Sequence, residues 1–363
     1  MTHDRSILNR AARAAIRAFG DTTPNPMVGA VIVKDAKVLG IGHHQKFGGL
    51  HAEREAIARA KVRGHDITGA TIYCTLEPCC HHGKQPPCTD AIIESGIKHV
   101  IAARPDPCDQ SGGGKEILEK AGISCAFVDD SDLAIAISDP FVHTSLTGLP
   151  WVIAKWAQTI DGRIATRTGE SQWITAEDTR RRVHRLRTCV DAIIVGVGTA
   201  LHDDPMLTVR GVRRVRRSPI RVVLDTNGRF DPNSQLAQSA KDHKTIICTA
   251  EPDKITASDV EVAMCERKGD RLDLRRTFKM LHTRYGISIA LIEPGPTLLG
   301  SLLEAQLVDD ALVHLAPGIM SDPEAKPCAG GHELTDLSKM TRFKLLRTKR
   351  VGDDVELHYR RPV

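Results

Sequence analysis

Residues 75–88 read TLEPCCHHGKQPPC, three cysteines and two histidines in fourteen positions, and upstream stands His51-Ala52-Glu53, directly after the glycines of FGGLH. Zinc takes Cys thiolates and His nitrogens, and a catalytic zinc keeps one of its four positions open for water. One His, two Cys and a water complete such a tetrahedron. A glutamate two residues after the histidine suits proton shuttling and need not be a ligand, as in the H-x-E…P-C-x-x-C signature of zinc nucleobase deaminases. Zinc lowers the pKa of its water towards 7 and so generates hydroxide. Glu53 would take that proton and return it first to a ring nitrogen, then to departing ammonia.

The spacing departs from that signature. From Cys79 to Cys88 is nine residues, where the generic pattern has three. Cys80, His81, His82 and Cys88 are therefore all candidates for the third ligand. Cys80 adjoins Cys79, and neighbouring side chains seldom converge on one small ion. Cys88 follows two stiffening prolines and opens a helical pattern, whose N-terminus favours a thiolate. The chemistry favours Cys88 and leaves the two histidines open. A closed structural site, with His81 or His82 as fourth ligand and no catalysis, is the alternative.

The elements that must position these residues form an α/β pattern. Strands are expected at Val28–Val33, Lys37–Gly42, Thr71–Thr75, His99–Ala103 and Ser124–Val128, with helices at Ala52–Lys61, Asp90–Ser95 and Glu116–Ala121. The run Ser138–Pro150, with a glycine and two prolines, reads as the boundary between two domains, the default for 363 residues. The second half restarts with a strand at Trp151–Trp156, a helix at Ala176–Arg187, and strands at Ala192–Val197, Ile220–Asp225, Lys244–Cys248 and Ser288–Glu293.

In that half Gly196-Val197-Gly198 lacks the third glycine of a strand–GxGxxG–helix fingerprint, which disfavours Rossmann-type dinucleotide binding. Four stretches read as site material: Lys155–Ile164 (KWAQTIDGRI), Gly169–Thr175 (GESQWIT), Gly196–Arg210 (GVGTALHDDPMLTVR) and Glu293–Leu298 (EPGPTL). The first sets a polar Asp-Gly turn at the carboxyl edge of a buried strand, where α/β proteins bind ligands. The last can bring backbone N–H groups to a phosphate. Arg187 and Arg210 offer planar forks suited to a phosphoester. Asp203 and Glu293 suit ribose hydroxyls or a proton.

The bulk composition narrows the classes. A net charge of +5 is too weak for a dedicated nucleic-acid binder, and with 4% aromatic residues stacking platforms are scarce. The basic run Arg210–Arg217 lacks interleaved aromatics and reads as a solvated loop. No apolar run reaches membrane-spanning length. No secretory leader is read ahead of the ten cysteines, so a cytoplasmic chain with reduced thiols and metal-binding cysteine clusters is expected.

Three segments together, Thr23-Pro24-Asn25-Pro26 leading into VGAVIV, the HAE at His51, and TLEPCCHHGKQPPC, resemble the deaminase domain of the bifunctional riboflavin-biosynthesis deaminase–reductases. That family carries PC-x8-C with G-[KR]-x-P-P-C before the second cysteine. The resemblance implies zinc on His51, Cys79 and Cys88, Glu53 as proton shuttle, Cys80 as a non-ligand, and substrate contacts at Asn25, His44, His81 and Lys84. The four stretches of the second half are similar to the family's reductase domain. There the resemblance implies NADPH against Ala157, Trp173, Thr199, Asp203, Thr226 and the Gly295 loop, and substrate against Ser171, Arg187, Leu207, Arg210 and Glu293. The implied fold is a cytidine-deaminase-like α/β/α domain over 1–146 and a dihydrofolate-reductase-like α/β domain over 147–363. The implied partners are phosphoribosylaminopyrimidine substrates and further copies of the chain, a dimer or tetramer, with neither nucleic acid nor membrane. The rival reading is a tRNA or nucleobase deaminase fused to an unrelated reductase. Two departures are visible: Asp106-Pro107-Cys108-Asp109 replaces the usual D-P-N-P, and Pro294 stands where glycine or alanine is common. Residues 211–287 contribute little to the resemblance.

Overall fold

The computed structural model describes residues 2–108, 110–331 and 335–362 and divides into two units, Met1–Gly148 and Leu149–Val363. The first contains α1 (His3–Ala15), β1 (Gly29–Lys34), β2 (Lys37–His43), α2 (Ala52–Val62), β3 (Thr71–Cys74), α3 (Cys88–Glu94), β4 (His99–Ala102), α4 (Gly114–Lys120), β5 (Ser124–Phe127), α5 (Asp132–Ala136) and α6 (Asp139–Thr147). Its sheet runs β2-β1-β3-β4-β5, with β1 antiparallel to both neighbours and β3, β4 and β5 parallel.

Alternate residues of β1 enter two separate cores, as the period of two requires. Val31 and Val33 pack with Leu8, Ala11, Ala12 and Ala15 of α1. Ala30 and Ile32 pack with Ala52, Ala56 and Ala60 of α2. Helix α2 lies so close to β2 that a Cβ on Gly42 would stand 2.2 Å from the Ala52 carbonyl oxygen. That glycine and the alanine face of α2 fix the height at which His51 and Glu53 sit over the sheet.

The expected boundary run is largely helical: Asp139–Thr147 forms α6. Pro140 sits in its first turn, where a missing N–H costs nothing, and Gly148 ends it at φ 66°. Pro and Gly here mark helix ends rather than a linker.

The second unit contains β6 (Trp151–Gln158), β7 (Arg163–Ala165), α7 (Glu177–Arg187), β8 (Ala192–Gly196), α8 (Val197–Asp203), β9 (Ile220–Leu224), α9 (Gln235–Gln238), β10 (Thr245–Thr249) and β11 (Glu261–Met264). It continues through β12 (Arg267–Lys268), β13 (Arg271–Leu272), α10 (Leu274–Tyr285), β14 (Ile289–Ile292), α11 (Pro296–Glu304), β15 (Asp310–Leu315), β16 (Lys326–Pro327), β17 (Lys344–Val351) and β18 (Asp354–Arg360). The main sheet runs β11-β10-β9-β8-β14-β6-β15-β18-β17. Its strands are parallel from β11 to β15 and end in the antiparallel pair β18–β17. Strands β8, β9 and β14 are buried almost throughout, as a parallel sheet covered on both faces demands. The basic run after Arg210 forms a loop between α8 and β9, with Arg217 ion-paired to Asp191.

Candidate active sites

In the first unit the nine-residue step from Cys79 to Cys88 closes on itself. The Cys88 and Thr89 amides donate to the Cys79 carbonyl at 3.0 and 3.3 Å. Arg54 of α2 donates to the Pro86 carbonyl at 3.1 Å and to the Pro87 carbonyl at 2.6 Å. The loop is thereby pinned to the helix that begins after His51, the N-cap of α2. His51 Nδ1 stands 3.4 Å from each of the Cys79 and Cys88 sulfurs. Among the described residues, His51, Cys79 and Cys88 form one metal-competent group, with ligand atoms within 4.8 Å of one another. Tetrahedral zinc, with Zn–N and Zn–S lengths of about 2.0–2.3 Å, separates its donors by roughly 3.5–3.8 Å. The donor set fits that ion and leaves a fourth position.

Burial and neighbours tune the group. A hydrogen bond with Cys88 is the largest influence on the Cys79 thiol, and His51 adds to it; together they pull it well below its ordinary value. The Glu53 carboxyl is buried at 3% exposure, with Oε2 accepting from the Cys88 sulfur at 3.3 Å. Burial pushes its pKa up, which suits a group that must carry a proton.

The other expected residues of this unit fall around the same point. Asn25 Nδ2 lies 3.3 Å from His44 Nε2, and His44 Nδ1 meets the Leu50 carbonyl at 2.9 Å. The His44 and His51 rings meet edge-on at 5.3 Å. His81 is half-buried with Nδ1 unpartnered. Lys84 is exposed and sets its ammonium 3.9 Å from the Phe47 ring centroid. Cys80 turns the other way and donates to the Gly112 carbonyl at 2.9 Å. His82 is exposed and is not in the metal-competent group. Asp106 accepts from the Cys108 amide and the Ser111 hydroxyl, while Asp109 lies outside the described residues.

Two residues escaped the sequence reading. Glu77 accepts from the Asp106 and Lys115 amides, both at 2.9 Å, and so ties the Pro78-Cys79 turn to the loops around it. Glu55 binds Arg59 at 2.7 Å and also holds Gln45, beside His44. An acid next to a metal motif was the available signal for both.

The second unit holds a cleft of about 1430 Å³ at the carboxyl ends of β6, β8, β9 and β14, the edge where open α/β sheets take ligands. Ala157, Ser171, Thr199, Asp203, Thr226, Glu293 and Gly295 all line it. Gly295 caps α11, and a Cβ there would lie 3.5 Å from the Thr199 hydroxyl, so the two face each other across a narrow gap. Gly196–Arg210, read as site material, contains helix α8, which carries Thr199 and Asp203. Partial desolvation pushes the Asp203 carboxyl up.

Four of the expected residues lie outside the lining. Trp173 is 67% exposed, with the Arg180 guanidinium 4.4 Å from its ring centroid. Leu207 is buried. Arg210 is exposed, its amide donating to His184 Nδ1 at 3.2 Å. The Arg187 fork, expected to be open to a phosphoester, is filled. It grips Glu293 with two bonds of 2.8 and 2.9 Å and donates to the Thr208 carbonyl at 2.9 Å. The sequence could not show that Arg187 and Glu293 meet, because 106 residues separate them. Burial opposes ionisation of Glu293, but Arg187 and then Lys155 overcome it and hold the carboxyl at about 2. Lys155 was inside a flagged stretch but not singled out. It lines the cleft, where burial pulls its ammonium down and Glu293 opposes the pull.

The family described as RibD C-terminal domain matches residues 150–357, and the cytidine and deoxycytidylate deaminase zinc-binding region matches residues 1–104. The riboflavin biosynthesis protein RibD of Actinobacillus pleuropneumoniae is 38% identical over 98% of this chain and 95% of its own. The chain belongs to the RibD family. A solved RibD of Acinetobacter baumannii superposes with a TM-score of 0.83 at 32% identity, covering 99% of both chains. The diaminohydroxyphosphoribosylaminopyrimidine deaminase/5-amino-6-(5-phosphoribosylamino)uracil reductase of Thermotoga maritima does so with a TM-score of 0.84 at 33% identity, again over 99% of both. As a RibD the chain is a bifunctional enzyme of riboflavin biosynthesis, with a cytidine-deaminase-like zinc-binding domain and a RibD reductase domain. A deaminase joined to an unrelated reductase is not favoured, since RibD similarity runs through both halves.

Proposed function

We propose that residues 1–146 hydrolytically deaminate 2,5-diamino-6-(5-phosphoribosylamino)pyrimidin-4(3H)-one to 5-amino-6-(5-phosphoribosylamino)uracil. Residues 147–363 then reduce the ribosyl group of that product to ribityl with NADPH. The observation that carries the reading is the convergence of His51, Cys79 and Cys88 beside the buried Glu53, in a chain whose other half is a RibD reductase domain.

His51, Cys79 and Cys88 hold zinc, which when bound supplies an activated water. Glu53 accepts a first proton at Oε2 and delivers it to the ring nitrogen beside the carbon that carries the 2-amino group, and it then carries a second proton, from the added hydroxyl, to the departing ammonia. Asn25 and His44 meet the pyrimidine, and His81 and Lys84 reach from the intervening loop toward base and phosphate.

In the reductase half NADPH supplies a hydride. When bound, the cofactor would supply that hydride to C1′ as the C1′–O4′ bond breaks, and this chain's residues would see that O4′ is protonated. Asp203 and Glu293 bind ribose hydroxyls or handle that proton, with Arg187 fixing the Glu293 carboxylate. Ala157, Trp173, Thr199, Thr226 and Gly295 contact the cofactor. Ser171, Leu207 and Arg210 complete the substrate side, where Arg210 is the cation left for the phosphate.

The chain acts in the cytoplasm as a homo-oligomer. Support for self-association comes from β17, exposed on both faces from Lys344 to Arg350, with Leu345 and Leu346 at 50% and 39% exposure. No described helix is long and apolar enough to cross a membrane. Incubating the purified protein with the diaminopyrimidine phosphate should release ammonia and then oxidise NADPH. NADPH oxidation with no ammonia release would overturn the assignment of the first step.

A further inference from the structure

The loop between β2 and α2 runs from His44 to His51 and forms one lip of the metal-competent site. It is closed at its base, where His44 Nδ1 meets the Leu50 carbonyl at 2.9 Å. Its backbone is fixed as well: the Phe47 amide donates to the Asp21 carbonyl at 3.0 Å, and the Gly49 amide donates to the Lys46 carbonyl at 2.9 Å. The facing lip is the loop from Cys79 to Cys88. The two lips are joined where Gln85 Nε2 donates to the Gly48 carbonyl at 3.2 Å. Phe47 stands at this seam, 42% exposed, in a position that none of the chemistry described above uses.

Lys84 crosses the seam and meets the facing lip at two levels. Its ammonium lies 3.9 Å from the Phe47 ring centroid, inside the range of about 6 Å at which a cation is drawn to an aromatic face. Its aliphatic stem runs past Gly48, where a Cβ would stand 3.6 Å from Lys84 Cδ and where φ is 78°, a backbone conformation that suits glycine. Among the described residues no carboxylate lies within ion-pair distance of this ammonium. An acid would also hold the lysine, but it would neutralise the charge and take up the N–H groups. A ring holds the ammonium through its negative face and accepts no conventional hydrogen bond, so charge and donors stay available to an incoming anion. A lysine stem has four flexible carbons, and ordering it at the moment of binding costs affinity. A ring anchored on fixed backbone lowers that cost in advance.

We propose that Phe47 is a positioning residue of the deaminase: its ring holds the Lys84 ammonium where the substrate phosphate arrives, and so sets the preference of this site for the phosphoribosyl over the ribosyl form of the pyrimidine. The inference rests on the reading of Lys84 as the phosphate contact. Phe47 acts through Lys84, on binding, and leaves the step at the metal unchanged.

The test follows ammonia release by the full-length, zinc-loaded protein at low salt. The two substrates are 2,5-diamino-6-(5-phosphoribosylamino)pyrimidin-4(3H)-one and the same compound with its phosphate removed. Phe47→Leu keeps an apolar side chain and removes the aromatic face. It should raise KM for the phosphorylated substrate about two- to fivefold, the weight of one exposed cation–π contact, with kcat and zinc content unchanged. KM for the dephosphorylated compound should not move. Phe47→Tyr, which restores the ring, should restore the KM of the unaltered chain. Lys84→Met should lose the preference for the phosphorylated substrate, and adding Phe47→Leu to it should change nothing further, because the two residues act as one unit. Equal rises in KM on both substrates, additive effects in the double variant, or a loss that Phe47→Tyr shares would each overturn the proposal. Loss of the preference in Lys84→Met with no effect of Phe47→Leu overturns the proposal alone. A Lys84→Met variant that keeps the preference overturns it together with the reading of Lys84 beneath it.

Discussion

The two sites are built on opposite plans. The metal-competent group of the first unit comes from residues 51–88, and its ligand atoms lie within 4.8 Å of one another. The cleft of the second unit draws its lining from Lys155 through Gly331 and encloses about 1430 Å³. A small ion tolerates errors of a few tenths of an ångström in its donors. Short loops pinned by local hydrogen bonds, such as Cys88 N–H to the Cys79 carbonyl, meet that demand. A dinucleotide is held by many weaker contacts along a sheet edge, so its residues can come from far apart, provided that the strand order brings them together. The first plan concentrates function in a few residues whose loss is decisive. The second spreads it, so that single losses are milder.

Breaking the first site should give the largest effect. Cys88→Ala removes one of three donors and should abolish both zinc content, by metal analysis of the purified protein, and ammonia release, while NADPH oxidation with supplied deaminated substrate persists. A variant that retains one equivalent of zinc would show that a histidine of the loop is the third ligand. Next, Glu53→Gln should keep zinc and lower ammonia release by about 10²- to 10⁴-fold, the usual range for losing a general acid–base. Unimpaired release would remove Glu53 from the shuttle role.

The reductase cleft should respond more gently. Asp203→Asn should lower NADPH oxidation by about 10- to 100-fold, the weight of one charged hydrogen bond, and leave deamination unchanged. Loss of both activities would instead indicate a folding role. The smallest effect is on acid stability. Glu293 has a folded pKa of about 2 against an ordinary 4.5. Between those values the unfolded chain binds more protons, so this carboxylate stabilises the fold above pH 4.5, and that stabilisation is lost as the pH falls through 2. It is worth at most about 3 kcal/mol. Thermal unfolding of Glu293→Gln should depend less on pH across that window than unfolding of the unaltered chain; identical slopes would mean that the Arg187 pair does not stabilise the fold.

Legibility followed the same division. The strand and helix cores from Val28 to Val128 were readable within a few residues because each carries its own apolar period, as β1 does with its two-faced burial. Helix α10 was missed although Leu274, Phe278 and Leu281 recur at helical spacing, since Arg275, Arg276, Lys279, His282 and Arg284 obscure the stripe. Hairpin β17–β18 was missed because β17 is exposed on both faces and so lacks a hydrophobic alternation. At the metal site, residue types and order named His51, Glu53 and Cys79, while Cys80, His81, His82 and Cys88 stayed open on chemistry alone.

The sequence by itself determined the two α/β units, the Cys/His cluster from which a zinc-type donor set is drawn and the acid beside it, because those features rest on residue type and on contacts across a few tens of residues. Only the tertiary structure decided that Cys80 turns toward Gly112, that the Arg187 fork is closed by Glu293, and that Lys155 stands beside that pair. It also decided that the β12–β13 hairpin is tied to Asn227 after β9 and to Ser301 of α11. The physical reason is that side-chain direction and long-range pairing depend on strand order and register. Those are set by how whole faces of the sheet bury, and no local stretch of sequence records them.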